Sequence, residues 1–101
     1  MKMFTNDTKF KNKIEDIVDN KIVSSALLRE LNQQEREIRR FFIDLIIVYI
    51  LGKENKLLFS IIYFLFRKEL HEILDDTKRI TKEAILNFVN KLKAWKSSHN
   101  Q

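Results

Sequence analysis

Cysteine and proline are absent from this chain of 101 residues, and glycine occurs once. Without cysteine there is no disulfide framework, no thiol nucleophile and no Cys-ligated zinc or iron–sulfur site. A phosphate-cradling loop needs several glycines, so that class is excluded too. Tight turns use glycine and proline heavily, and their scarcity argues against an all-β protein. The opening Met1 to Asp7 has no apolar segment of the signal-peptide kind, so an intracellular, cytoplasmic location is expected.

What the chain does have is apolar surface. Hydrophobic residues make up 45% of it, eight of them Phe, which is ample to offset chain entropy and excludes disorder. The length allows one domain over 1–101, burying roughly 65% of its unfolded surface. The formal charge of +5 is mild and evenly spread, with no basic tail. It permits contact with nucleic acid or anionic lipid without requiring either.

Hydrophobic spacing predicts helices throughout. Phe10, Ile14, Ile17 and Val18 form one stripe of a helix over about 7–19, capped by Asn6, Asp7 or Thr8. A second helix starts near Ser24 or Ser25, with Ala26, Leu27, Leu28 and Leu31 facing a core. From there either one long helix runs to Leu51 or two helices break near Asn32–Gln34; nothing in that stretch is a strong breaker, which favours the single helix. Gly52, directly after an apolar run, suits the left-handed residue that ends a helix. Residues 52–56 then form a short helix–helix connection. The next helix covers about 54–76, and the last begins after Thr81, stapled by Ile80 and Ile85. Its core stripe is Ile85, Phe88, Val89, Leu92 and Trp95. Residues 1–6 and 97–101 are expected to fray. The fold class is therefore all-α: a small helical bundle of four to five helices around a central apolar antiparallel hairpin.

That hairpin is the most informative feature. Residues 41–51 read FFIDLIIVYIL, ten of eleven apolar, and 57–66 read LLFSIIYFLF, nine of ten. Each run is apolar all round and seeks burial on every side. Each is roughly 16 Å long, about half a bilayer's hydrocarbon thickness, so no transmembrane span is expected. A domain this small surrounds at most one helix, and the surplus apolar face calls for a second copy or another protein. Phe41, Phe42, Ile46, Tyr49, Phe59, Ile62 and Phe66 are the candidate interface residues, to be divided between core and partner contact. Asp44, alone inside the first run, should face solvent or meet Arg40, Lys56 or Lys68.

Signs of chemistry are few. His71 and Asp75 stand four apart on one helical face, but two ligands do not make a metal site. No nucleophile has a base and an orienting acid in evident reach, so no catalytic residue, metal or cofactor is assigned and an enzyme is not expected. Basic residues offer an alternative. Arg36, Arg39 and Arg40 share a face, and Lys91, Lys93 and Lys96 flank Trp95, a pattern that can hold a phosphate backbone and stack a base. No helix-turn-helix, zinc finger or basic zipper is present.

In size, charge and class the chain is similar to the bacteriocin immunity proteins, without a shared motif. Val48-Tyr-Ile-Leu-Gly-Lys-Glu54 and Lys21-Ile-Val-Ser-Ser25 resemble segments of the helical small subunits of type III CRISPR complexes. The aromatic-flanked Glu-Ala pair near that family's C-terminus is missing, and neither resemblance implies a role for any residue. The expected function is a non-enzymatic interaction, assembly or regulatory protein. It would self-associate as a homo-oligomer, or dock on a larger protein, through its apolar hairpin. The alternatives are a small basic nucleic-acid-binding factor and a membrane-surface or immunity-type protein.

Overall fold

The computed structural model describes residues 8–99. Those residues form six helices and no strand: α1 (Thr8–Asn20), α2 (Ser25–Asn32), α3 (Arg36–Leu51), α4 (Lys56–Leu65), α5 (Arg67–Leu74) and α6 (Lys82–His99). The all-α expectation holds; four to five helices become six. Asn6, Asp7 and residues 1–6 as a whole lie outside the described residues, as do the side chains of Thr8 and Phe10.

Local chemistry explains most of the boundaries. The Ser24 Oγ accepts from the Leu27 amide at 3.1 Å and starts α2. Gly52 ends α3 in the left-handed region at φ 71°, its amide bonded to the Val48 carbonyl at 2.7 Å. The Asn55 Oδ1 then accepts from the Leu57 and Leu58 amides and starts α4. Thr81 does the same for α6 through the Ala84 amide, with Ile80 and Ile85 both buried as a staple. α6 continues to His99, so 97–99 are helical rather than frayed.

The 24–51 stretch takes the two-helix alternative, and the helix expected over about 54–76 is itself broken in two. The first break, at 33–35, separates α2 from α3. The freed carbonyls of Asn32 and Gln34 accept from the Arg39 guanidinium, and the Asn32 amide group pairs with the Ile80 backbone in both directions, at 2.7 and 3.2 Å. Partners from the far end of the chain stabilise this break. The second falls at Phe66, whose backbone (φ −110°, ψ 29°) leaves the helical region. The break turns Phe66 inward, where its ring meets Phe88 edge-on at 5.9 Å.

The centre is α3, not a hairpin. It packs on α1, α5 and α6, and Phe42, Ile43, Ile46, Ile47 and Ile50 are all buried. α4 lies at the edge, packed chiefly on α5, with Ile62 its only fully buried residue. A core already closed around α3 by α1, α5 and α6 leaves no interior room for a second all-apolar helix.

Candidate docking surface

Exposed large hydrophobic residues concentrate on α4. Leu57 is 71% exposed, Ile61 40%, Phe64 65% and Leu65 46%. Their spacing of i, i+4, i+7 and i+8 places them on one helical stripe. Of the other exposed residues on α4, Lys56 is its first residue and Ser60 sits within the stripe. Together the four side chains leave roughly 400 Å² of apolar surface in water, the scale at which an exposed patch on a monomer tends to be functional.

Basic groups flank this stripe at both ends. Lys53 and Lys56 precede it, and Arg67 and Lys68 follow it, all exposed. The Arg67 guanidinium lies 4.7 Å above the Phe64 ring and donates to the Phe64 carbonyl at 2.8 Å. Its charge therefore sits directly on the edge of the apolar surface. Glu54 is the one acidic residue from 52 to 68, against four basic ones.

The inner side of α4 is tied to α3 by polar contacts. The Tyr63 hydroxyl donates to Asp44 Oδ1 at 2.6 Å, and the Arg40 guanidinium stacks 4.7 Å over the Tyr63 ring. Asp44 thus meets Arg40, one of its expected partners, with Tyr63 as an unforeseen second. Half-burial pushes the Asp44 carboxyl above its ordinary range, opposed by the Tyr63 hydrogen bond and the Arg40 charge. The Tyr63 phenol is raised in turn, by burial first and then by its bond to Asp44.

The seven candidate interface residues divide. Phe42, Ile46 and Ile62 are fully buried and Phe66 nearly so; these four fall on the core side of the division and leave the set of candidate partner contacts. Phe41 and Phe59 are half-buried against the core. Tyr49 is exposed, but on another side, where its hydroxyl donates to Asp19 Oδ2 at 2.9 Å. The residues that form the outer face, Leu57, Ile61, Phe64 and Leu65, were not singled out by sequence. The basic residues at both ends were the available signal, since spacing alone selects no face in a run apolar at nearly every position.

The basic candidates separate more sharply. Arg39 is 1% exposed, so its assignment to nucleic-acid contact is overturned. Its guanidinium donates to the carbonyls of Asn32, Gln34, Ile73, Asp75 and Lys78, tying the α2–α3 and α5–α6 connections together. Asn32 and Ile73 lie in the last turns of α2 and α5, where the helix dipole supplies partial negative charge. Lys91 pairs with Glu69 at 2.7 Å, which holds the Glu69 carboxyl below its usual range. Lys93 donates to the Val18 carbonyl near the end of α1, and Lys96 to the Ile50 carbonyl near the end of α3. Trp95 packs half-buried against the core and stacks on His99 at 4.6 Å. Arg36 and Arg40 are the members of the set with exposed side chains on α3. The six basic residues do not form one basic face.

A cleft of about 500 Å³ is lined by Val18, Asp19, Tyr49, Ile50, Lys93, Lys96 and Ser97. Its lysines are occupied on helix-end carbonyls and its tyrosine on Asp19. Among the described residues no group of three His, Asp or Glu side chains converges as a metal site. His71 and Asp75 do approach, at 3.7 Å, as an exposed i, i+4 pair. No helix among the described residues is long and apolar enough to cross a membrane. No family model matches the chain, and comparisons with curated proteins and with solved structures return no match.

Proposed function

We propose that this is a non-enzymatic docking protein, acting in assembly or regulation, whose working surface is the outer face of α4. The observation that carries the reading is the stripe of Leu57, Ile61, Phe64 and Leu65, which gathers four of the six exposed large hydrophobic residues among the described ones on a single helix face. Keeping four such side chains in water opposes solubility, and a partner that covers them recovers the hydrophobic free energy. The surplus apolar surface expected from the two runs is thus assigned to a specific helix face. The internal engagement of Arg39, Lys91, Lys93 and Lys96 favours docking over the nucleic-acid alternative.

An apolar fluorescent dye tests this reading. The wild-type protein should bind it, and a Leu57→Asp/Phe64→Asp variant should bind far less while keeping its helical circular dichroism. Equal dye binding by the two folded proteins would contradict the assignment.

A further inference from the structure

We propose that the occupant of the α4 face is an anionic membrane surface, on which α4 lies in the plane of the interface. This rests on the reading of that face as a docking surface and names what it docks on. Three observations favour lipid over a second copy of the chain.

The first is how binding scales with area. The four side chains alone leave roughly 400 Å² of apolar surface, and a membrane needs no partner surface matched to them, because binding grows with each apolar side chain that enters the acyl boundary.

Charge is the second. Lys53 and Lys56 stand at one end of the stripe and Arg67 and Lys68 at the other, with Glu54 alone to offset them. Any pairing of two copies through this face brings basic ends together. An antiparallel pair would set Lys56 beside the Arg67 and Lys68 of the other copy. A phosphate plane instead satisfies both ends at once, each basic residue strengthening attachment about fivefold. Arg67 already lies along the Phe64 ring, so its aliphatic stem can follow the apolar surface while the guanidinium stays at headgroup level.

Shape is the third. The stripe is the outer side of an edge helix that packs chiefly on α5. A protein partner would need a groove complementary to it, whereas a fluid interface conforms to any ridge. At ten residues, about 15 Å, α4 is long enough to lie on a bilayer and too short to cross one.

Co-sedimentation with vesicles decides the matter, using the full chain. The wild-type protein should pellet with phosphatidylcholine–phosphatidylserine vesicles and bind phosphatidylcholine alone about tenfold more weakly or worse. Phe64→Asp, and separately Leu57→Asp, should lower binding about tenfold or more while the protein stays folded, since both side chains are mostly in solvent. Lys56→Gln and Lys68→Gln should each lower it about fivefold, and added salt should weaken it in the wild type. Failure to pellet with the anionic vesicles overturns the proposal, as does equal binding to both vesicle types. The solution mass then separates the two levels. A wild-type oligomer that Phe64→Asp converts to a monomer would keep the docking surface and make its occupant a second copy. A monomer that binds neither vesicles nor dye would remove the docking reading as well.

Discussion

Tyr63 on α4 donates its hydroxyl to Asp44 on α3 across 2.6 Å, and the Arg40 guanidinium covers the same ring at 4.7 Å. This cluster sits on the inner side of a helix that buries little else besides Ile62. Tyr63→Phe removes the bond to a charged acceptor and should cost about 1.5–3 kcal/mol. The loss should be local first: amide hydrogen exchange should accelerate in α4 more than in α3 or α6. Uniform acceleration across all helices would show that α4 is no looser than the core.

The raised Asp44 pKa makes a signed claim about pH. The folded chain holds a proton on Asp44 at pH values where the unfolded chain, near the ordinary 3.8, has released it. Stability therefore falls as pH rises from about 4 through the raised folded value, and is flat above it. Glu69 and Asp75, both lowered, act oppositely, losing their stabilisation as pH falls from their ordinary 4.5 and 3.8 through their lowered folded values. Asp44→Asn keeps an acceptor for Tyr63 without the charge. Urea unfolding of both proteins across this range should show the wild type losing ground to the variant as pH rises. A constant difference would mean that Asp44 does not titrate in this way.

Arg39 should be the costliest basic residue to remove. Arg39→Ala removes a donor from five backbone carbonyls, of which Asp75 keeps the Lys78 amide, in and around the junction of the 33–35 and 75–81 connections. About 3 kcal/mol or more should be lost in denaturant unfolding. Arg39→Lys should recover only part, since a single ammonium cannot reach all the acceptors that the planar fork spans. Arg36→Ala, at an exposed position, should stay within about 0.5 kcal/mol of wild type.

Lys93 and Lys96 give a subtler case. Each ammonium satisfies a carbonyl near the end of a helix, at 2.8 and 2.9 Å. Lys93→Gln and Lys96→Gln should each destabilise by about 0.3–1 kcal/mol, and less at high salt. A nucleic-acid role would instead show as binding whose salt dependence weakens on substitution, with no change in melting.

What was legible in the sequence follows from which interactions are local. The span of α1, the Gly52 stop, the Asn55 region connection and the start of α6 all depend on residues within one turn, and all were readable. The break at 33–35 was legible only as one of two alternatives, because its stabilising partners, Ile73, Asp75, Lys78 and Ile80, lie some forty residues away in the chain. The same distance hid Arg39: on a polar stretch of one helix it reads as a solvated cation, and only folding brings the carbonyls to it. The surplus of apolar surface was readable from composition. Which face carries it was not, since a run apolar at nearly every position gives periodicity nothing to select. The kink at Phe66 made the choice, turning Phe66 inward while Phe64 and Leu65 stayed out.

The melting temperature of the Leu57→Asp/Phe64→Asp protein tests most directly whether the outer face of α4 is spare to the fold. With Ile62→Asp as the buried control on the same helix, the double variant should melt within roughly 4 °C of wild type and the control should not fold. A drop of more than about 8 °C in the double variant would show that the stripe holds the fold together, and would contradict its role as a docking surface.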